Sequence, residues 1–190
     1  MNAPDRLSWP TLRLADLLAM PATAAAAGDP NRFLLARIIA GQAAGSGCLP
    51  PCLGLDAEDY RHLVGDYFPG FAGTAPGRPV AALPEWGDLR QLLLDYRADA
   101  RASIGWLAAI VASACAGSDH LWQDLGLSCR DELSALMRIN FPELARANAG
   151  DMKWKKFLYR HLCAREGIYV CPAPSCGECR DYAQCFGAEN

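Results

Sequence analysis

Apolar residues recur at intervals of three and four along most of the chain, and no stretch alternates with period two. The pattern predicts helices and no strands. Leu12, Leu14, Leu17, Leu18 and Met20 place a helix over 11–20, with Pro10 suited to its first turn. Residues 21–28 are mostly alanine and either continue that helix or link it to the next. Asp29-Pro30 is a start signal, a cap followed by a fixed φ, after which Phe33, Leu34, Ile38 and Gln42 share a face. Gly45-Ser46-Gly47 ends that helix, and Cys48-Leu49-Pro50-Pro51-Cys52 forms a stiff loop.

Asp56 caps a short helix carrying Tyr60, Leu63, Val64 and Phe68. The Pro- and Gly-rich stretch 69–84 is expected to be a long, mobile connection. Helical periodicity returns over 87–116, through Leu89, Leu92, Leu93, Tyr96, Ile104, Leu107, Ala108 and Val111. Ser128 to Asp131 has the spacing of a capping box with Asp for Glu, ahead of an apolar face of Leu133, Leu136, Met137 and Phe141. Pro142 interrupts. Asp151 is expected to cap the best helix of the chain, 152–166, and Gly167 sits where a left-handed C-terminal residue belongs. The fold class this predicts is all-α: one helical body over about 9–167, then a Cys-, Pro- and Gly-rich loop over 168–187.

The length of 190 residues fits one domain with a real core. A net charge of −3 argues against a protein whose main task is coating nucleic acid. Apolar runs such as 104–111 fall short of the ~20 residues a membrane span needs. The first ten residues lack the basic start and apolar core of a secretory signal, so a cytoplasmic protein is expected. Nine cysteines in a reducing compartment then need a reason other than disulfides.

Four of them read Cys171-Pro-Ala-Pro-Ser-Cys176-Gly-Glu-Cys179-Arg-Asp-Tyr-Ala-Gln-Cys185, a C-x4-C-x2-C-x5-C spacing. Four soft anionic thiolates in one loop call for a cation or a cationic cluster. Zinc loops usually pair two C-x2-C knuckles across a longer insert. A compact, continuous run resembles iron–sulfur ligation more closely, and zinc stays open. On the preceding helix, Lys153, Lys156, Arg160 and Cys163 fall on one side, and Trp154, Phe157, Leu158, His161 and Leu162 on the other. The basic side is either an ordinary solvated face or a surface that offsets thiolate charge and attracts an oxyanion. Cys163 is a low-pKa thiol or a half-buried spare one. His161 is expected to be packed and hydrogen-bonded rather than a ligand.

The order of segments resembles the NifQ family. The residues that carry it are Asp119-His120-Leu121-Trp122-Gln123-Asp124-Leu125-Gly126-Leu127, Arg130-Asp131-Glu132-Leu133-Ser134-Ala135-Leu136-Met137, Asn140-Phe141-Pro142-Glu143-Leu144-Ala145 and Asp151-Met152-Lys153-Trp154-Lys155-Lys156-Phe157. Cys163, Glu166 and Gly167 precede the four-cysteine loop, and Cys185-Phe186-Gly187 ends it. The match is clear over 119–187 and vaguer upstream. The resemblance implies a nitrogen-fixation protein of molybdenum processing: an iron–sulfur (4Fe-4S type) protein that takes up molybdenum from molybdate as a molybdenum–iron–sulfur species. It donates this for iron–molybdenum cofactor assembly, to the nitrogenase cofactor scaffold complex and the nitrogenase iron protein. By the same resemblance Cys171, Cys176, Cys179 and Cys185 match the cluster motif, and Cys163 matches a cysteine just upstream. Cys163, Lys153, Lys156 and Arg160 are candidates for an additional ligand or for attracting the oxyanion. Cys48, Cys52, Cys115 and Cys129 are not assigned.

A metallocluster carrier and molybdenum donor is therefore expected, not a turnover enzyme, with molybdate reduction left open and no nucleic acid or membrane partner. The alternatives are an iron–sulfur DNA glycosylase of the helix-hairpin-helix type, a ferredoxin-like electron carrier and a zinc-stapled interaction module. The first lacks its Gly-rich hairpin here, and the second would not need ~150 residues of helix.

Overall fold

The computed structural model describes residues 12–71, 83–167 and 182–187. Every regular element among them is helical. In chain order they are α1 (Leu14–Ala19), α2 (Ala24–Ala27), α3 (Asn31–Ala43), a 3-10 turn (Pro51–Gly54), α4 (Ala57–Tyr67) and α5 (Trp86–Asp95). There follow α6 (Ala102–Ala114), α7 (Leu121–Asp124), α8 (Arg130–Asn140), α9 (Pro142–Ala147), α10 (Trp154–Arg165) and α11 (Tyr182–Phe186).

The centre of the body is α6. Eleven of its thirteen residues are buried and it carries no charged side chain, the pattern of a helix enclosed on all sides. α5 lies along it, and α10 packs on α5. α3 joins the core through Leu34, Leu35, Ile38 and Ile39, and α8 through Leu133, Leu136 and Met137. The backbones of α3 and the 126 turn meet directly: a Cβ on Gly41 would overlap the Gly126 carbonyl, and Gly126 itself has φ +72°.

One polar cluster is sealed among these helices. The Asp29 carboxylate accepts from the Asn31 amide (2.8 Å), Ser103 Oγ (2.6 Å), Tyr67 OH (2.6 Å) and Arg101 (3.1 Å). Asn31 Nδ2 donates onward to Ser103 Oγ (3.0 Å) and Asn140 Oδ1 (2.6 Å). Burial alone would raise the Asp29 pKa, but the Ser103, Tyr67 and Asn31 donors together with the Arg101 charge hold it below its ordinary value. The network ties α4, α6 and α8 to the start of α3.

Several expectations change. The first described helix begins at Leu14, not 11, and residues 21–28 hold the separate short α2, capped by Thr23. Phe33 leaves its predicted face and is exposed, because buried positions encircle α3 through Leu35, Ala36 and Ile39 instead. The span 87–116 is two helices, broken at 96–101, where the Ala98 amide bonds the Asn140 carbonyl (2.8 Å). No Ser128–Asp131 capping box forms: Cys129 is the N-cap, and Glu132 Oε2 accepts from the Ser128 amide at 2.7 Å. Asp151 does not cap α10. It sits at φ +54° with its carboxylate on Arg130 (2.7 Å), and Lys153 is the N-cap. Asp56, Pro142 and Gly167 (φ +69°) hold their predicted places. Most of the Pro/Gly connection, 72–82, lies outside the described residues, as do 168–181.

Candidate functional site

The N-terminal turn of α10 is built by residues before it. Asn148 clamps Met152 from both sides, accepting from its amide (3.0 Å) and donating to its carbonyl (2.9 Å). Met152 is buried, so α10 starts from a fixed point. The Lys153 amide then donates to the Cys185 carbonyl at 2.7 Å, and Lys153 Nζ reaches the Ala183 carbonyl at 3.3 Å. These bonds seat α11, and with it Cys185, against the start of α10. Phe186 packs near Gly150 and stacks on Tyr182, ring centroids 4.6 Å apart. Gly167, by contrast, lies at the other end of α10. Of the four predicted ligands, Cys185 is placed and half-buried; Cys171, Cys176 and Cys179 lie outside the described residues.

Lys155, which the helical-wheel reading left out, turns inward. Its Nζ donates to the Gly117 carbonyl (2.8 Å) and forms an ion pair with the buried Asp124. The Asp124 carbonyl accepts from the Cys48 amide (3.0 Å), and its carboxylate accepts from the Asp119 amide (3.2 Å). The packing leaves no room for a side chain at 117: a Cβ there would overlap Asp124 and the Cys48 sulfur. The pair thus fastens the first turn of α10 to the 117–124 segment.

Between these two elements lies a cavity of about 430 Å³. Lys153, Trp154, Lys155 and Lys156 line it from the start of α10, Asp119, His120 and Gln123 from the segment around the start of α7, and Gln184 from α11. Lys156 is exposed, and neither it nor Lys153 has a carboxylate partner among the described residues. A helix N-terminus carries about half a positive charge, so cations in its first turn are each unfavourable by about 0.3–1 kcal/mol. α10 starts with three lysines around that turn and no acid in it. Local rules are broken in this way mainly where a function compensates them, and an anion in the cavity would do so.

The rest of the predicted basic side separates. Arg160 lines a second cavity, about 290 Å³, with Asn148, His161 and Phe186. It does not join the lysines, because the helix axis carries it a full turn past Lys156. Cys163 is half-buried and lines neither cavity. His161 is packed as expected, its Nε2 3.1 Å from Tyr96 OH, and burial, aided by Arg165, lowers its pKa.

Among the described residues no group of three or more His, Cys, Asp or Glu side chains is arranged to hold a metal ion. The Cys115 thiol is pushed up to about 12 by burial, against the opposing pull of Lys155. It is protonated at neutral pH and unreactive. Burial also raises Cys52, which sits at φ +55° in the 3-10 turn.

No helix among the described residues is long and apolar enough to cross a membrane. No solved structure matches the chain. A NifQ family model matches residues 34–187. Protein NifQ of Azotobacter vinelandii is 43% identical over 175 residues, covering 84% of this chain and 89% of that one. Protein NifQ of Rhodobacter capsulatus is 38% identical over 159 residues, covering 83% and 88%. Protein NifQ of Klebsiella pneumoniae is 46% identical over 83 residues, covering 43% and 50%. A family match over most of the chain and two relatives matched over nearly their whole length agree: the chain belongs to the NifQ family.

Proposed function

We propose that this protein processes molybdenum for nitrogen fixation, binding it as a molybdenum–iron–sulfur species and donating it to iron–molybdenum cofactor assembly. Membership of the NifQ family supports the broad role. The chemistry of the donor set supports the finer one. Cys171, Cys176, Cys179 and Cys185 would hold the cluster, four soft thiolates suited to iron and sulfide. The bound cluster would supply the soft sulfide surface on which a further metal is held. The recipients are the nitrogenase cofactor scaffold complex and the nitrogenase iron protein, and the protein acts as a carrier rather than a turnover enzyme. Nothing in the fold or the relatives favours a DNA glycosylase or an electron carrier.

The single observation that carries the reading is the seating of Cys185 beside the lysine cavity, through the Lys153 amide and Nζ. Molybdate is a dianion, and Lys153 and Lys156 would draw it to the sulfur ligands. Arg160, a turn away at the second cavity, would add long-range attraction only. The test is iron, sulfide, molybdenum and zinc content of protein purified without oxygen, before and after molybdate. Near-stoichiometric iron and sulfide with molybdenum acquired is the expected result. Zinc without sulfide would overturn the reading. A K153E/K156E variant is expected to keep its iron and lose molybdenum.

A further inference from the structure

We propose that the cavity between α7, α10 and α11 is a tetrahedral-oxyanion site shared by the helical body and the Cys185-bearing helix, so that anion binding and the seating of Cys185 are linked. The inference deepens the molybdenum reading above by naming the residues that take the anion and the motion it controls.

Four observations meet there. First, Lys153 and Lys156 bring two positive charges that have no carboxylate partner among the described residues, and among those residues the exposed Asp119 also lines the cavity. Second, the cavity is lined by the first turn of α10, a twelve-residue helix whose leading N–H groups have no intrahelical acceptor and suit an anion. Third, Trp154 lines the cavity at 5% exposure, and its indole N–H is buried without a partner. Fourth, the polar side chains are held in place. Gln123 Oε1 accepts from the His120 amide at 3.1 Å, which fixes the side chain across the start of α7. Lys155 is already spent on Asp124 and the Gly117 carbonyl, so it positions the α10 turn rather than binding the ligand. At about 430 Å³ the space admits a tetrahedral oxyanion with part of its water.

The link follows from Gln184. It lines the cavity from α11, one residue before Cys185, while Lys153 holds the carbonyls of Ala183 and Cys185. An anion touching Lys153 and Gln184 at once stabilises the seated α11 over the released one. By reciprocity a seated α11 tightens the anion.

The test uses the full-length, metal-free chain under reducing, oxygen-free conditions. Molybdate and tungstate binding are measured calorimetrically, and Cys185 alkylation is followed by peptide mass spectrometry with and without tungstate. Both anions are expected to bind, and saturating tungstate is expected to slow Cys185 alkylation at least threefold while leaving the exposed Cys129 unaffected. Gln184→Ala, on an exposed position that leaves the core intact, is expected to weaken binding about threefold or more and to abolish the protection. Lys156→Gln is expected to weaken binding at least tenfold. No binding of either anion would overturn the site. Binding unchanged in Gln184→Ala with no Cys185 protection would overturn the sharing. Tungstate bound as described in a protein that never acquires molybdenum with iron and sulfide would leave the site standing and remove the donor reading.

Discussion

α6 and α10 have nearly the same length and opposite uses. α6 has no charged residue and is buried on all sides, so any change to it is paid in stability. α10 carries Lys155, Lys156, Arg160 and Arg165 without a single acid, yet buries Trp154, Phe157, Leu158 and Leu162. One stripe anchors it, and its first turn is left electrostatically unfavourable. The difference teaches where to look for function in a helical body: at the helix that defies its own dipole while being firmly held.

The contrast can be broken from either side. The largest effect belongs to α6. Leu107→Ala, at a fully buried position, is expected to cost about 2–5 kcal/mol in chemical denaturation. Anion binding should survive wherever the variant is folded; loss of binding in folded protein would erase the division of labour. Next comes the fastening of α10. Asp124→Asn leaves the Lys155 charge half-satisfied in a buried setting and is expected to cost on the order of 3 kcal/mol, read from the same denaturation midpoints. It should also weaken anion binding, since the cavity wall is no longer held.

Acid tests the polar cluster under α6. Asp29 has a depressed pKa in the folded protein, so its contribution is full above the unfolded carboxylate value near 3.9 and is lost as pH falls through the folded value. Stability is therefore expected to fall as pH drops below about 4, and Asp29→Asn should flatten that part of the profile while lowering stability at neutral pH. A profile of wild-type slope in Asp29→Asn would show that other carboxylates govern the loss.

The smallest effect is the most diagnostic. Lys156→Glu puts an acid in the first turn of α10 and is expected to stabilise the fold by a few tenths of a kcal/mol while reducing oxyanion binding. Gain in thermal midpoint with loss of binding would show that the lysine is kept for its ligand. A loss of both would make it a structural residue.

Helix content was legible because its cause is local. Leu133, Leu136, Met137 and Phe141 are all buried as their spacing predicts, the Asp56 side chain caps α4, and Gly167, with no Cβ, takes the left-handed turn. Caps were less legible. Ser128 and Asp151 have the right chemistry, but Glu132 and Arg130 reach their groups from across a turn or across the fold. The four-cysteine spacing and the family resemblance came from the sequence alone, as did the interest of Lys153 and Lys156. A helical wheel grouped those two with Arg160 because it sees angle and not height along the axis. It also missed Lys155, whose partner Asp124 is thirty-one residues away and shares no periodicity with it.

By itself, then, the chain determined the helical character of the described residues, its family and the close spacing of four soft thiols, because those depend on residue type and short spacing. Only the tertiary structure decided that α7, α10 and α11 meet around one cavity, that Lys155 is taken up by Asp124, and that Cys185 is seated beside Lys153 and Lys156. Those facts rest on contacts between segments far apart in the chain, fixed by how the core packs and not by any local pattern.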